Sequence, residues 1–122
     1  MFLVIVAGSR DFKDYAYLKR KLDALLCRYN PDEVAIVSGN ARGADALGER
    51  YAKERGMRCD LFPADWDTHG KSAGYKRNKD MAEYADALVA FWDGSSKGTG
   101  HMIELACKNM LQVRTFVYEN NL

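Results

Sequence analysis

Residues that form disulfides or metal sites are sparse in this chain of 122 residues. There are three cysteines, Cys27, Cys59 and Cys107, an odd number at long spacings with no CxxC pair. That argues against a disulfide framework and a cysteine zinc site, and predicts buried, reduced thiols. The two histidines, His69 and His101, lack metal-ligand spacing, so no metal site is expected. No run approaches the roughly 20 apolar residues that span a membrane, so no membrane partner is expected. The apolar start, Met1 to Ala7, has no basic segment before it and meets Ser9, Arg10 and Asp11 at once. It reads as a buried first strand and not as a signal peptide, which points to a cytoplasmic protein. Net charge is also small: eighteen Lys and Arg against seventeen Asp and Glu leave +1. Without a broad positive field, tight non-specific binding of nucleic acid is disfavoured. Two glycine fingerprints are missing as well, GxGxxG and GxxxxGK[ST], which disfavours a hydride-transfer dehydrogenase and an ATPase.

What is present suits a folded core, with 48% apolar and 11% aromatic residues. The length fits one domain over residues 1–122. Strand and helix signals alternate along it. Phe2 to Ala7 is a continuous apolar run, as in a strand covered on both faces. Tyr15, Leu18, Leu22, Leu25, Leu26 and Tyr29 recur at helical spacing and predict a helix over 14–29, stopped by Asn30-Pro31-Asp32. A strand over 33–38 precedes a helix over 42–55 with Gly56 at its C-terminal cap, then a strand over 58–63. Residues 64–74 read as irregular. A helix over 76–84, a strand over 86–92, a loop over 93–98, a helix over 99–111 and a strand over 112–118 complete the chain. The alternation implies an α/β fold: a single Rossmann-like three-layer domain. Its five-stranded, mainly parallel sheet would run in the order 3-2-1-4-5, with helices on both faces and right-handed crossovers.

In such a sheet, ligands bind beyond the carboxyl ends of the strands, where the strand order reverses. Three strand-to-helix loops there have the composition of a phosphate cradle. In the first, Gly8 permits close backbone approach, Ser9 offers a hydroxyl and an amide, and Arg10 can grip an anion bidentately. The second runs from Ser38 and Gly39 through Arg42 and Gly43 into a helix start, where free amides and the dipole attract anions. Asp45 either complements that dipole or accepts from a ribose hydroxyl. The third holds Gly94, Ser95, Lys97, Gly98 and Thr99, with Thr99 either capping the helix or touching phosphate. A fourth, basic segment could close over a ligand: Lys71, Arg77 and Asn78 near its phosphate, Trp66 stacked on a base and Asp65 on a sugar hydroxyl.

The ordered motifs Gly8-Ser9-Arg10-Asp11-Phe12, Ser38-Gly39-x-Ala41-Arg42-Gly43-Ala44-Asp45, Phe62-Pro63-Ala64-Asp65-Trp66, Gly70-Lys71-x-Ala73-Gly74-x-x-Arg77-Asn78-x-x-Met81 and Gly98-Thr99 span nearly the whole chain. Together they resemble the YspA/YpsA-related branch of the SLOG superfamily. The resemblance implies a compact Rossmann-like sheet and kinship with the LOG phosphoribohydrolases and the DNA-processing protein DprA. It implies a nucleotide or nucleotide-derived ligand, ADP-ribose-like molecules included, with magnesium as an optional companion of the phosphate and no other cofactor. LOG enzymes pair an arginine with a glutamate after a glycine-rich loop. Arg77 takes the arginine's place here, whereas the first glutamate after Thr99 is Glu104, later than the pattern asks. Nucleotide binding thus carries over more firmly than N-glycosidic hydrolysis, whose catalytic residues would be Arg77 and Glu104. Single-stranded DNA binding, as in DprA, is the third reading, and a homodimer is the assembly the resemblance favours.

Overall fold

The computed structural model describes residues 1–119. Its five strands, β1 (Phe2–Gly8), β2 (Val34–Ser38), β3 (Arg58–Leu61), β4 (Ala87–Trp92) and β5 (Gln112–Val117), form one sheet in the order β3-β2-β1-β4-β5. All four pairings are parallel. The helices are α1 (Tyr15–Leu25), α2 (Ala44–Arg55), the single turn α3 (Trp66–His69), α4 (Ala73–Tyr84) and α5 (Lys97–Lys108). The Rossmann-like α/β architecture and the strand order expected from the sequence are therefore the observed ones. Among the described residues, no helix is long and apolar enough to cross a membrane.

The pleat of the central strands sorts the core into two layers. Val4 and Val6 of β1 face α1 and α2 in one apolar cluster, with Leu18, Leu22, Tyr51 and Phe91. Ile5 and Ala7 face α4 and α5 in the other, with Met81, Leu88, Met102 and Ala106. Both faces of β1 and β4 are thus buried, which is why their sequences run apolar without alternation.

Several boundaries differ from the sequence expectation. Helix α1 stops at Leu25, and the chain then turns, with the Tyr29 amide donating to the Leu26 carbonyl at 3.0 Å. Tyr29 instead stacks on Phe2, with ring centroids 4.8 Å apart. The stretch over 64–74 is ordered: Asp65 caps α3 by accepting the Thr68 amide at 3.1 Å, and a 3-10 turn over Gly70–Ser72 leads into α4. Helix α4 therefore begins three residues before the expected start. Helix α5 begins at Lys97, so Thr99 lies inside its first turn and is not its cap. The cysteines differ too: Cys27 and Cys107 are exposed and Cys59 is half-buried. Cys27 lies in the turn after α1 and Cys107 on the outer side of α5, where no second layer covers them.

The loop after β1 lies directly on the start of α2. A Cβ on Gly43, whose φ is +81°, would sit 2.4 Å from the Ser9 carbonyl oxygen and 2.6 Å from that of Arg10. Gly56, the C-cap of α2 with φ +69°, has nothing within 4 Å of a Cβ. Gly43→Ala is expected to lower stability by about 3 kcal/mol or more, combining backbone strain with a clash that only a loop shift can relieve. Gly56→Ala should cost only about 1 kcal/mol. Urea midpoints of the two variants check this, and equal small losses would contradict it.

Candidate functional site

A crevice of about 700 Å³ opens at the carboxyl ends of β1 and β4, where the strand order reverses. Of the residues singled out in the sequence, Gly8, Ser9, Arg10, Arg42, Asp45 and Arg77 line it. So do Asn78, Lys97, Gly98 and Thr99. The lining carries five basic side chains, Arg10, Lys13, Arg42, Arg77 and Lys97, and three acidic ones, Asp11, Asp45 and Asp93. A chain with almost no net charge thus concentrates positive charge in one place.

The remaining predicted residues stand elsewhere. Ser38 is fully buried beneath the second loop, donating to Glu49 Oε2 at 2.7 Å and accepting the Asn40 amide at 3.1 Å. Gly39 and Gly43 are bare backbone that lets neighbours close in. Asp65 is committed to capping α3, which holds its carboxyl below the usual carboxylate range. Trp66 is 51% exposed, its ring packing near Gly74 at the crevice rim. Lys71 is exposed on the 3-10 turn. Gly94 and Ser95 form the exposed bend of the third loop. Glu104 is exposed about two turns along α5 and borders a separate shallow depression with Tyr75, Trp92 and His101. Lys13 and the buried methionines Met81 and Met102 line the crevice without having been expected there. Lys13 follows buried Phe12, and that apolar anchor so close behind the first loop was the available signal.

The third loop is built around Asp93. Its Oδ1 accepts the Ser95 amide at 2.9 Å and the Ser96 amide at 2.8 Å, and Oδ2 accepts from Ser96 Oγ at 2.8 Å. These bonds, the backbone amide of Ser95 foremost, pull its carboxyl down to about 2. The Ser95 amide, from a residue that the sequence offered to a phosphate, is therefore occupied by Asp93, as is that of Ser96. The next three are not: Lys97, Gly98 and Thr99 open α5, and no side chain caps that helix. Their N–H groups face the crevice end of the helix, where the dipole is positive.

Arg77 is held from two sides. Its Nε donates to Asn78 Oδ1 at 3.0 Å, and its Nη1 donates to the Gly39 carbonyl oxygen. Nη2 makes no hydrogen bond within the protein and lies against the crevice wall near Gly74. Burial lowers the Arg77 pKa, Asp45 opposes that shift and Arg10 adds to it. Asn78, itself buried, uses its Nδ2 on the Gly98 carbonyl and on His101 Nδ1, each at 3.2 Å. Asn78 thus fixes both Arg77 and the first turn of α5, and leaves Nε2 of His101 as that ring's donor. Burial lowers the His101 pKa, consistent with a neutral ring.

Comparison with known proteins agrees with this architecture. The family model of the YspA, cpYpsA-related SLOG family matches residues 2–69. The Gene 61 protein of Mycobacterium phage D29 is 38% identical over 119 residues, covering 93% of this chain and 94% of its own. Among solved structures, DprA of Streptococcus pneumoniae superposes with a TM-score of 0.71 at 17% identity, over 98% of this chain and 51% of its own. This chain therefore spans about half of that protein. DprA of Helicobacter pylori, described by its single-stranded DNA binding mode, gives 0.67 at 18% identity, over 98% of this chain and 67% of its own. A predicted tRNA methyltransferase subunit of Methanocaldococcus jannaschii gives 0.50 at 14% identity, over 99% of this chain and 70% of its own.

The Asp93 bonds have a pH signature. Because folding lowers this carboxyl from 3.8 to about 2, its contribution is present above pH 4 and is lost as pH falls toward 2. Asp93→Asn is expected to cost about 1 kcal/mol or less at neutral pH, since the group is partly exposed. The gap between wild type and variant should close over that acid interval. A pH-independent gap in urea midpoints would contradict the assignment.

Proposed function

We propose that this chain, which belongs to the YspA, cpYpsA-related SLOG family, binds a nucleotide or nucleotide-derived small molecule in the crevice. The observation that carries this reading is Arg77, held on two sides with Nη2 left for a ligand, beside the uncapped amides of α5. A phosphate fits the amides of Lys97, Gly98 and Thr99, with the Lys97 ammonium and the Arg10 guanidinium at its flank. Arg77 adds charge-assisted bonds deeper in the crevice. The volume of about 700 Å³ suits a nucleotide-sized molecule. Magnesium would enter only as a companion of the ligand's phosphates.

The position of Glu104 outside the crevice supports binding over N-glycosidic hydrolysis. A second reading, single-stranded DNA, draws on the fold shared with the Helicobacter pylori protein and on the five basic side chains of the lining. It requires binding that collapses between about 50 and 200 mM salt, as counterion release dictates.

A thermal-shift panel of AMP, GMP, CMP, UMP, ADP-ribose and NAD tests the proposal. A ligand at 100 times its Kd should add about 2.7 kcal/mol of apparent stability. Arg77→Ala should weaken the responding ligand by about 1.5–3 kcal/mol, the worth of a hydrogen bond to a charged group. A silent panel, together with steeply salt-dependent binding of an oligonucleotide, would replace the small-molecule reading with the DNA one.

A further inference from the structure

Two polar side chains in the crevice are buried without being used up. Asp45 and Thr99 are each 6% exposed, and both line the crevice. Asp45 Oδ2 accepts the Ala41 amide at 3.3 Å, while Oδ1 has no partner within the protein. Thr99 Oγ1 has none either. Among the described residues, no fully enclosed side-chain oxygen lacks a partner. The unpaired oxygen of each therefore keeps some exposed surface, on a residue that lines the crevice.

Asp45 faces Arg77 across Gly39. A Cβ on Gly39 would lie 2.8 Å from Asp45 Oδ2 and 2.6 Å from Arg77 Nη1, yet the two side chains form no ion pair. The two side chains thus meet at Gly39 with one atom each engaged there, and bring to the crevice an unsatisfied acceptor, Asp45 Oδ1, and an unsatisfied donor, Arg77 Nη2. A phosphate placed there would gain Arg77 and be repelled by Asp45. A neutral hydroxyl satisfies both, donating to the carboxylate and accepting from the guanidinium. The anionic group then belongs at the other end, on the α5 amides and the Thr99 hydroxyl.

We infer that Asp45 makes the crevice selective for phosphorylated ribose, with a free 2′-hydroxyl, over the 2′-deoxy compound. This rests on the nucleotide reading above and narrows it to ribonucleotides and ribose 5-phosphate derivatives. The preference needs an ionised Asp45. Burial raises this carboxyl to about 6, against the lowering influence of the Ala41 amide, Arg77 from α4 and Arg10 from the first loop, while Glu49 on its own helix raises it further. The ribose preference should therefore shrink as pH falls through 6.

Isothermal titration of wild type and Asp45→Asn with AMP against 2′-deoxy-AMP, and with ribose 5-phosphate against 2-deoxyribose 5-phosphate, tests this. At pH 7.5 the ribose member of a pair should bind wild type about tenfold tighter or more, the loss expected when a bond to a charged group goes unmade. In Asp45→Asn the ratio should fall toward one, with the deoxy member bound at least as well as by wild type. If that variant does not fold, the wild-type ratio at pH 5.0 serves instead and should be markedly smaller than at pH 7.5. Equal wild-type binding of both members, or a ratio unchanged in Asp45→Asn or at low pH, would overturn the inference and leave nucleotide binding standing. No binding of any of the four compounds would overturn the inference, and the nucleotide reading falls with it only if GMP, CMP, UMP, ADP-ribose and NAD fail to bind as well.

Discussion

The crevice depends on Ser9, whose backbone and side chain tie three separate segments together. Its amide donates to the Phe91 carbonyl at 3.0 Å, fastening the end of β1 to β4. Its carbonyl accepts the Phe12 amide at 3.2 Å and the Ala44 amide at 3.3 Å, fastening its own loop and the start of α2. Its Oγ accepts the Asp93 amide at 3.2 Å and lies 3.1 Å from Ser96 Oγ, fastening the loop before α5. A buried residue whose polar atoms are all engaged sets geometry more than it meets ligands. Gly8 and Gly43 allow it: a Cβ on Gly8 would fall 2.2 Å from the Phe91 carbonyl oxygen, and one on Gly43 would strike Ser9 itself.

Around that anchor the motif residues divide into two kinds. Ser9, Ser38, Asn78 and Asp93 spend their hydrogen bonds on the protein and hold the walls in place. Arg10, Asp45, Arg77, Lys97 and Thr99 keep atoms in hand that face the open space. The distinction rests on hydrogen-bond partners, since both kinds sit in the same loops. It also separates the fold from its use: structures of only 17% and 18% identity share the fold.

Much of the fold was legible because the sheet is covered on both faces. The unbroken apolar runs of β1 and β4 and the helical spacing over Leu18 and Leu22 each reflect burial that sequence alone exposes. The position of the crevice followed from the strand order. What sequence could not show was how each loop spends its hydrogen bonds. Ser95 looks like a phosphate ligand until its amide is found on Asp93. Asp65 looks like a sugar ligand until it is found capping α3. Helix ends shifted for the same reason: Ser96 precedes α5 because Asp93 closes the bend before it, which places Thr99 inside the first turn. Asp45 was visible as an acid near a helix start, but its burial and the Arg77 guanidinium brought near it, with Nη2 left over, are products of long-range packing.

The proposed function stands on a ligand whose phosphate sits at the uncapped start of α5 while Arg77 binds another part of it deeper in the crevice. Amide chemical shifts followed during titration with AMP and ADP-ribose test it most directly. Saturable shifts are expected at Lys97, Gly98 and Thr99 and at Arg77 Nε, with the outer strand β3 unmoved. Shifts confined to β3 or to the exposed edge of β5, with the α5 amides silent, would contradict it.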